Sequence, residues 1–189
     1  MNIDSITSEN VNQYDKKGNT PLFYASGDQV EHLIKLGADV NHQNFNEETA
    51  LFRADFEKTE KLIKAGADVN IQSESYATAI FFSDLKTTHL LIARGADVNQ
   101  SDFENDTPLS VAASYKDIEK SKLLIENGAS IHNVNMSGFT TLETMTPELK
   151  EFALEHERKQ AIKDKDFLEK ETEFFVENEN THRMSVPKF

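Results

Sequence analysis

The chain has 189 residues, 38% of them hydrophobic, no Cys and a formal net charge of −13. That length suits one ordinary domain; the missing Cys excludes disulfides and thiolate metal sites, and the acidity opposes nucleic acid and anionic membranes as partners. No apolar run approaches the roughly 18 residues of a membrane span, and "MNIDSITSEN" has Asp4 and Glu9 where a signal peptide would be apolar, so a soluble, cytoplasmic protein is expected.

The first element starts at Thr20. In "TPLFYAS" a Thr oxygen can accept from a free first-turn N–H, and Pro21 takes the first helical position, where a missing N–H costs nothing. A second helix is expected after Ser26, a strong N-cap type, with Leu33 and Ile34 on its buried face. Gly37 then closes it in the left-handed conformation that a side chain resists, and "ADVN" is expected as an extended exit. The same signals return in order. "TALFRAD" at Thr49 leads to Asp55, Leu62/Ile63 and Gly66, and "TAIFFSD" at Thr78 to Asp84, Leu91/Ile92 and Gly95. "TPLSVAA" at Thr107 leads to Asp117, Leu124/Ile125 and Gly128, and a degenerate "TTLETMT" follows at Thr140.

The Thr residues are spaced 29, 29, 29 and 33, and the Gly residues 29, 29 and 33. Two landmarks keeping one period mark an array of stacked supersecondary units. Neither helix of a unit can bury its apolar stripe alone; stacking on neighbours does it. The units are expected near 12–40, 41–69, 70–98, 99–131 and 132–154, giving an array over 1–154. Asp39, Asp68 and Asp97 recur at one position and are read as structural.

These residues resemble the ankyrin repeat, in the short-unit form of bacterial ankyrin proteins. "TPLFYA" and "TPLSVA" are similar to the family's T-P-L-H-x-A, and "GADVN" to its helix exit; the resemblance runs from about Asn12 to Leu154. It implies an all-α solenoid of about five helix-turn-helix units, with projecting loops and a C-terminal helical extension. There are departures. Phe23, Phe52, Phe81 and Ser110 replace the family's His, so its usual hydrogen-bonding role should be lost. The first three units run 17 residues from Thr to Gly and the fourth 21. Four residues are about one helical turn, and the loss is expected in the first helix and the turn after it.

Beyond the array, Thr146 and Pro147 open a last helix in which Leu149, Phe152 and Ala153 are placed to cover the open end. A charged helical extension is expected over 155–176, with Ala161, Ile162, Phe167, Leu168, Phe174 and Phe175 interspersed, and a loose tail over 177–189. Its apolar residues either pack back on the stack or bind a partner or a second copy.

No motif for chemistry stands out. The six His residues show no metal-ligand spacing such as H-E-x-x-H, and there is no phosphate loop and no G-x-S-x-G elbow. No catalytic residue, cofactor or metal is expected, and the chain is read as not an enzyme. What remains is surface. By resemblance, loops projecting as fingers join the first helices in lining a concave binding face. Nine-residue fingers follow Val11, Val40, Val69, Val98 and Ile131, and their middles fall at Lys16, Phe45, Glu74, Phe103 and Met136. Phe45, Phe103 and Met136, with Tyr76 two places on in its finger, are apolar residues on expected tips, and exposed aromatics tend to dominate interface energetics. From Asn41 to Thr49, Asn70 to Thr78, Asn99 to Thr107 and His132 to Thr140 there is no Lys or Arg. Glu47, Glu48, Glu74, Asp102, Glu104 and Asp106 lie there, whereas the first finger carries Lys16 and Lys17. Residues 1–145 hold −10 of the net charge.

An acidic rim with aromatics suits a basic protein partner. The expectation is a protein-binding module, monomeric when free. Its specific form is a stoichiometric inhibitor or immunity-type protein that neutralises a basic nuclease toxin or defence enzyme. The alternative is a regulatory scaffold or a host-directed effector.

Overall fold

The computed structural model describes residues 5–184, and the side chains of residues 5–168. The first unit has α1 (Pro21–Tyr24) and α2 (Asp28–Lys35), and the second keeps only its second helix, α3 (Phe56–Lys64). A 3-10 helix (Ala79–Phe81) and α4 (Leu85–Ala93) make the third, and α5 (Pro108–Ser114) and α6 (Ile118–Glu126) the fourth. α7 (Thr141–Thr144) and α8 (Pro147–Met184) follow. The second helices form one row, in which α2 packs on α3, α3 on α4, α4 on α6 and α6 on α8. The 3-10 helix, α5 and α7 form the other. Among the described residues there is no strand, only an isolated bridge between Val134 and Thr140. This is an all-α solenoid.

Its core is one continuous ladder. Leu33, Leu62, Leu91 and Leu124 are buried in the second helices, and Leu22, Leu51, Ile80 and Leu109 are their partners in the first row. Each such side chain contributes about 1.5–3 kcal/mol by leaving water. Ile34, Ile63 and Ile92 lie half-buried against this ladder. The second helices end as expected. Gly66 has φ 92°; its N–H reaches the Ile63 carbonyl and the next N–H, of Ala67, reaches back to Leu62, both at 3.0 Å. This paired closure is a Schellman end, and it recurs at the other three landmark glycines.

The exit from each helix is a turn, and the expected extended path is wrong. Oδ1 of Asp39, Asp68 and Asp97 accepts from the backbone N–H of Asn41, Asn70 and Asn99 at 2.8–2.9 Å, which folds the chain back. The Asn residues then staple one unit to the next. Asn70 Nδ2 donates to the Gly95 carbonyl at 2.9 Å and its Oδ1 accepts from Asp97 N at 2.9 Å. Asn12, Asn41 and Asn99 make the equivalent pair of bonds. A geometry that recurs in this way needs a side chain with both a donor and an acceptor, which Asn has.

The first helices divide the expected Thr caps. Thr107 and Thr140 cap α5 and α7 through their hydroxyls, each in a reciprocal capping box. Thr20 and Thr78 make no such bond, and after Thr49 there is a turn in place of a helix. The reason is a competing bond. In the short units the N–H three residues on, from Phe23, Phe52 and Phe81, goes to the Thr carbonyl at 3.0–3.1 Å. That tight closure uses the donor a hydroxyl cap would need. The second caps behave as read at Asp55, Asp84 and Asp117, which accept from Lys58, Thr87 and Lys120 N. Ser26 does not cap α2; Gly27, at φ 53°, intervenes as the last residue before the helix.

Shortening a first helix strands its last carbonyls without donors. Lysines from the following unit supply donors there and in the turn that follows, where the Gly27 carbonyl also accepts from Val30 N and that of Ile80 from Ser83 Oγ. Lys58 Nζ donates to the Phe23 carbonyl and Lys61 Nζ to that of Gly27, each at 2.8 Å. Lys120 Nζ reaches the carbonyls of Ile80 at 2.9 Å and Ser83 at 2.7 Å. Burial pushes the Lys58 and Lys120 ammonium groups down to about 8. The aromatic replacements for His also serve packing: Phe23 meets His42 edge-on at 6.3 Å, and Phe52 and Phe81 meet Phe82 at 5.9 and 6.4 Å. Ser110 corrects the expectation of a lost polar role, because its Oγ accepts from Thr107 N and donates to Asp106 Oδ1, both at 2.9 Å.

α8 begins as the last stacked helix. Leu149 and Ala153 are buried and Phe152 is half-buried. His132 stands where the stapling Asn stands in the earlier units, and its Nε2 meets Glu157 Oε1 at 2.8 Å. All described side chains from Glu157 to Leu168 are exposed, among them Ile162 and Phe167. The helix does not end near Val176 but continues to Met184, since no Gly or Pro stands before Pro187 to break it. The rest of the expected tail, 185–189, and the side chains of Phe174 and Phe175 lie outside the described residues.

Candidate functional site

Four of the five fingers are folded by a short side chain that accepts from its own backbone. Asn44 Oδ1 takes the N–H of Asn46 and Glu48 at 2.9 and 3.0 Å, and Asp102 Oδ1 those of Glu104 and Asp106, both at 2.9 Å. Asp15 and Asn135 do the same in the first and last fingers. In the third finger Ser73 takes this place and its hydroxyl meets that of Ser75 at 2.9 Å. The turn requires one left-handed residue. Gly18 and Gly138 fill that position at the two ends, with φ 79° and 83°, but Glu47, Tyr76 and Asn105 fill it in the middle fingers, with φ 59–60°. A bulky side chain held there costs on the order of 1–3 kcal/mol.

Adjacent fingers are joined by single backbone bonds. Phe45 N donates to Lys17 O, Glu74 N to Asn46 O, Phe103 N to Ser75 O and Met136 N to Glu104 O, at 2.8–3.0 Å. The four donors therefore occupy one structural position, a row across the fingers. Phe45 is 64% exposed, Phe103 55%, Met136 73% and Tyr76 57%. The Phe45 ring leans on the first finger, edge-on to Tyr14 at 5.8 Å. Glu47, Glu74 and Glu104 are exposed, whereas Glu48, Asp102 and Asp106 are half-buried. Those three have work inside the fingers: Glu48 lies 3.4 Å from Asn44 Nδ2, Asp102 holds its turn, and Asp106 accepts from Ser110 and Asn135.

A cleft of about 380 Å³ between the third and fourth units was not foreseen. Ser75 and Phe103 of the fingers, Phe82 of the first row, and Tyr115 and Asp117 of the fourth unit are among its walls. Phe82 follows Phe81 in a position held by Tyr24, Arg53 and Val111 in the other units. That variable place was a usable signal. Tyr115 lies in the extra turn that only the long fourth unit possesses, and nothing local marks it. Tyr24 is also exposed, and its hydroxyl donates to Asp15 Oδ2 at 2.6 Å, which holds that carboxyl below its usual value.

Among the described residues no group of three or more His, Asp or Glu is placed to hold a metal ion, and no helix is long and apolar enough to cross a membrane. Comparison of the chain with curated proteins finds no match. The ankyrin repeat family profile matches residues 17–45 and 104–136, a short unit and the long one. Between them lie two further copies of the same two-landmark unit in the same stacked row. Ankyrin repeats are protein-interaction modules, and the two matched segments of this chain are ankyrin repeats.

Proposed function

We propose that the fingers and first row bind a basic protein, and that the chain acts as its stoichiometric inhibitor, of the immunity type, by covering the site of a nuclease toxin or defence enzyme. The carrying observation is one face with two properties. Phe45, Tyr76, Phe103 and Met136 stand exposed along it, while fingers two to five carry no Lys or Arg and expose Glu47, Glu74 and Glu104. Aromatic anchors supply contact energy, and opposite charge supplies association rate and selects the partner. Holding Glu47 and Tyr76 in a strained turn that glycine fills at either end supports a surface role, since strain persists where function rewards it. Such an inhibitor is monomeric when free and acts in the cytoplasm, without chemistry of its own.

A regulatory scaffold or host-directed effector uses the same face and differs in outcome. The partner is captured on the full chain, purified, and its activity titrated with the chain. Inhibition is expected to reach completion at one equivalent. Full activity in the saturated complex removes the inhibitor and leaves the scaffold.

A further inference from the structure

The cleft between the third and fourth units has more than apolar walls. Phe82, Phe103 and Tyr115 line it and are 46%, 55% and 83% exposed. Asp102 and Asp117 line it as well. Each carboxylate uses Oδ1 for its own backbone, Asp102 for Glu104 N and Asp106 N, and Asp117 for Lys120 N. The Oδ2 atoms have no hydrogen-bond partner among the described residues. The cation that lines the cleft, Lys120, is buried, and its ammonium is engaged by the carbonyls of Ile80 and Ser83. Two carboxylates and one engaged lysine leave the cleft net negative.

We infer that this cleft receives a single arginine side chain of the basic partner, its guanidinium stacked on Phe82, Phe103 or Tyr115 and hydrogen-bonded to Asp102 and Asp117. The assignment rests on the protein-binding reading and names its anchor. Three features select arginine. Exposed aromatic faces attract a cation, and a planar guanidinium can stack on them as an ammonium cannot. Carboxylate oxygens accept from its fixed fork of donors. The chain already pairs these groups: the guanidinium of Arg53, which is not part of the cleft wall, sits 5.7 Å from the Phe82 ring centroid. The place of the cleft between fingers and first row puts the anchor near the centre of the binding face, where hot spots gather.

The test uses the full chain and N-acetyl-arginine methylamide, titrated by NMR against the side-chain resonances of Phe82, Phe103 and Tyr115. N-acetyl-citrulline methylamide, of the same shape without the charge, is the control. The double variant Asp102→Asn/Asp117→Asn keeps an acceptor oxygen for the finger turn and for the helix cap, so it retains the fold while losing both charges. Saturable shifts confined to the cleft are expected with the arginine amide. Binding is expected to weaken at least fivefold with the citrulline amide and at least fivefold in the double variant. Shifts scattered over the acidic fingers, or equal affinity for the two amides or in the two proteins, overturn the assignment. That failure would leave the wider reading intact, because the activity titration with captured partner does not depend on which side chain anchors it.

Discussion

In the fourth unit 21 residues run from Thr107 to Gly128, and in the three before it 17 run between the matching landmarks. The longer unit satisfies its own backbone. Its first helix has seven residues and a reciprocal cap at Thr107 and Ser110. The shorter units have a four-residue helix, a bare turn and a three-residue 3-10 helix. Carbonyls of the first and third also accept from outside, from Lys58, Lys61 and Lys120 of the units that follow. Shortening a repeat thus moves hydrogen bonds from within a unit to between units. Stability in such an array is a sum of unit and interface terms, and here weight has shifted to the interfaces.

The strongest way to break this comparison is to remove a lysine that reaches across. Lys120→Met should destabilise by about 2–3 kcal/mol, because it leaves the Ser83 carbonyl without a donor and that of Ile80 with only the Ser83 hydroxyl. Lys122→Met, two residues along the same helix and half-buried, should cost under about 1 kcal/mol. Urea denaturation of the two variants compares them, and equal midpoints would show that the short unit does not lean on its neighbour. Gly66→Val should cost about 2–3 kcal/mol from backbone strain alone, since a Cβ there would meet no atom within 4 Å while φ is 92°. An unchanged midpoint would deny that the left-handed closure limits the short units.

The same lysines sharpen the comparison through pH. Their folded pKa of about 8 lies below the ordinary 10.5. Between those values the unfolded chain holds more protons, so folding stability should rise with pH through this window. Below about pH 8 both states are charged and the burial cost is borne in full. The gain should be on the order of 1–3 kcal/mol relative to Lys58→Met/Lys120→Met, measured by urea denaturation from pH 7.5 to 10.5. A variant that gains as much as the parent would assign the effect to other groups. The smallest effect is expected at a finger. Tyr76→Gly should relieve the left-handed turn and raise stability by up to about 1 kcal/mol, partly offset by the freedom glycine gains when unfolded. Thermal unfolding measures it, and a loss of stability would show that the Tyr76 ring packs more than it strains.

The solenoid was legible because its landmarks do one local job each. Gly37, Gly66, Gly95 and Gly128 end helices, and Leu33, Leu62, Leu91 and Leu124 fill one ladder. What joins units was hidden. Lys58 and Lys120 read as solvated helix residues, because the carbonyls they serve lie in the preceding unit. The stapling role of Asn41, Asn70 and Asn99 is invisible for the same reason. At the candidate face, the register of Phe45, Glu74, Phe103 and Met136 follows from the period, and their shared backbone bonds reflect it. The division of Glu47 and Glu104 from Asp102 does not, because it depends on which carboxylate the turn draws inward. The left-handed place shared by Gly18, Glu47, Tyr76, Asn105 and Gly138 keeps the same period as the other landmarks. Only the glycines at its ends advertise it. The cleft joins Phe82 to Tyr115 across units of unequal length, and no single period places such residues together.

The finger face as the binding surface for a basic protein is tested most directly by paired capture. The full chain and the variant Phe45→Ala/Glu47→Lys/Phe103→Ala/Glu104→Lys are used as baits in the native cell extract at physiological salt. All four positions are exposed, so the variant should fold with an unchanged melting temperature. The account predicts a basic protein held by the parent near one-to-one and lost, by at least tenfold, from the variant. An acidic partner, or the same partner held equally by both baits, would contradict it.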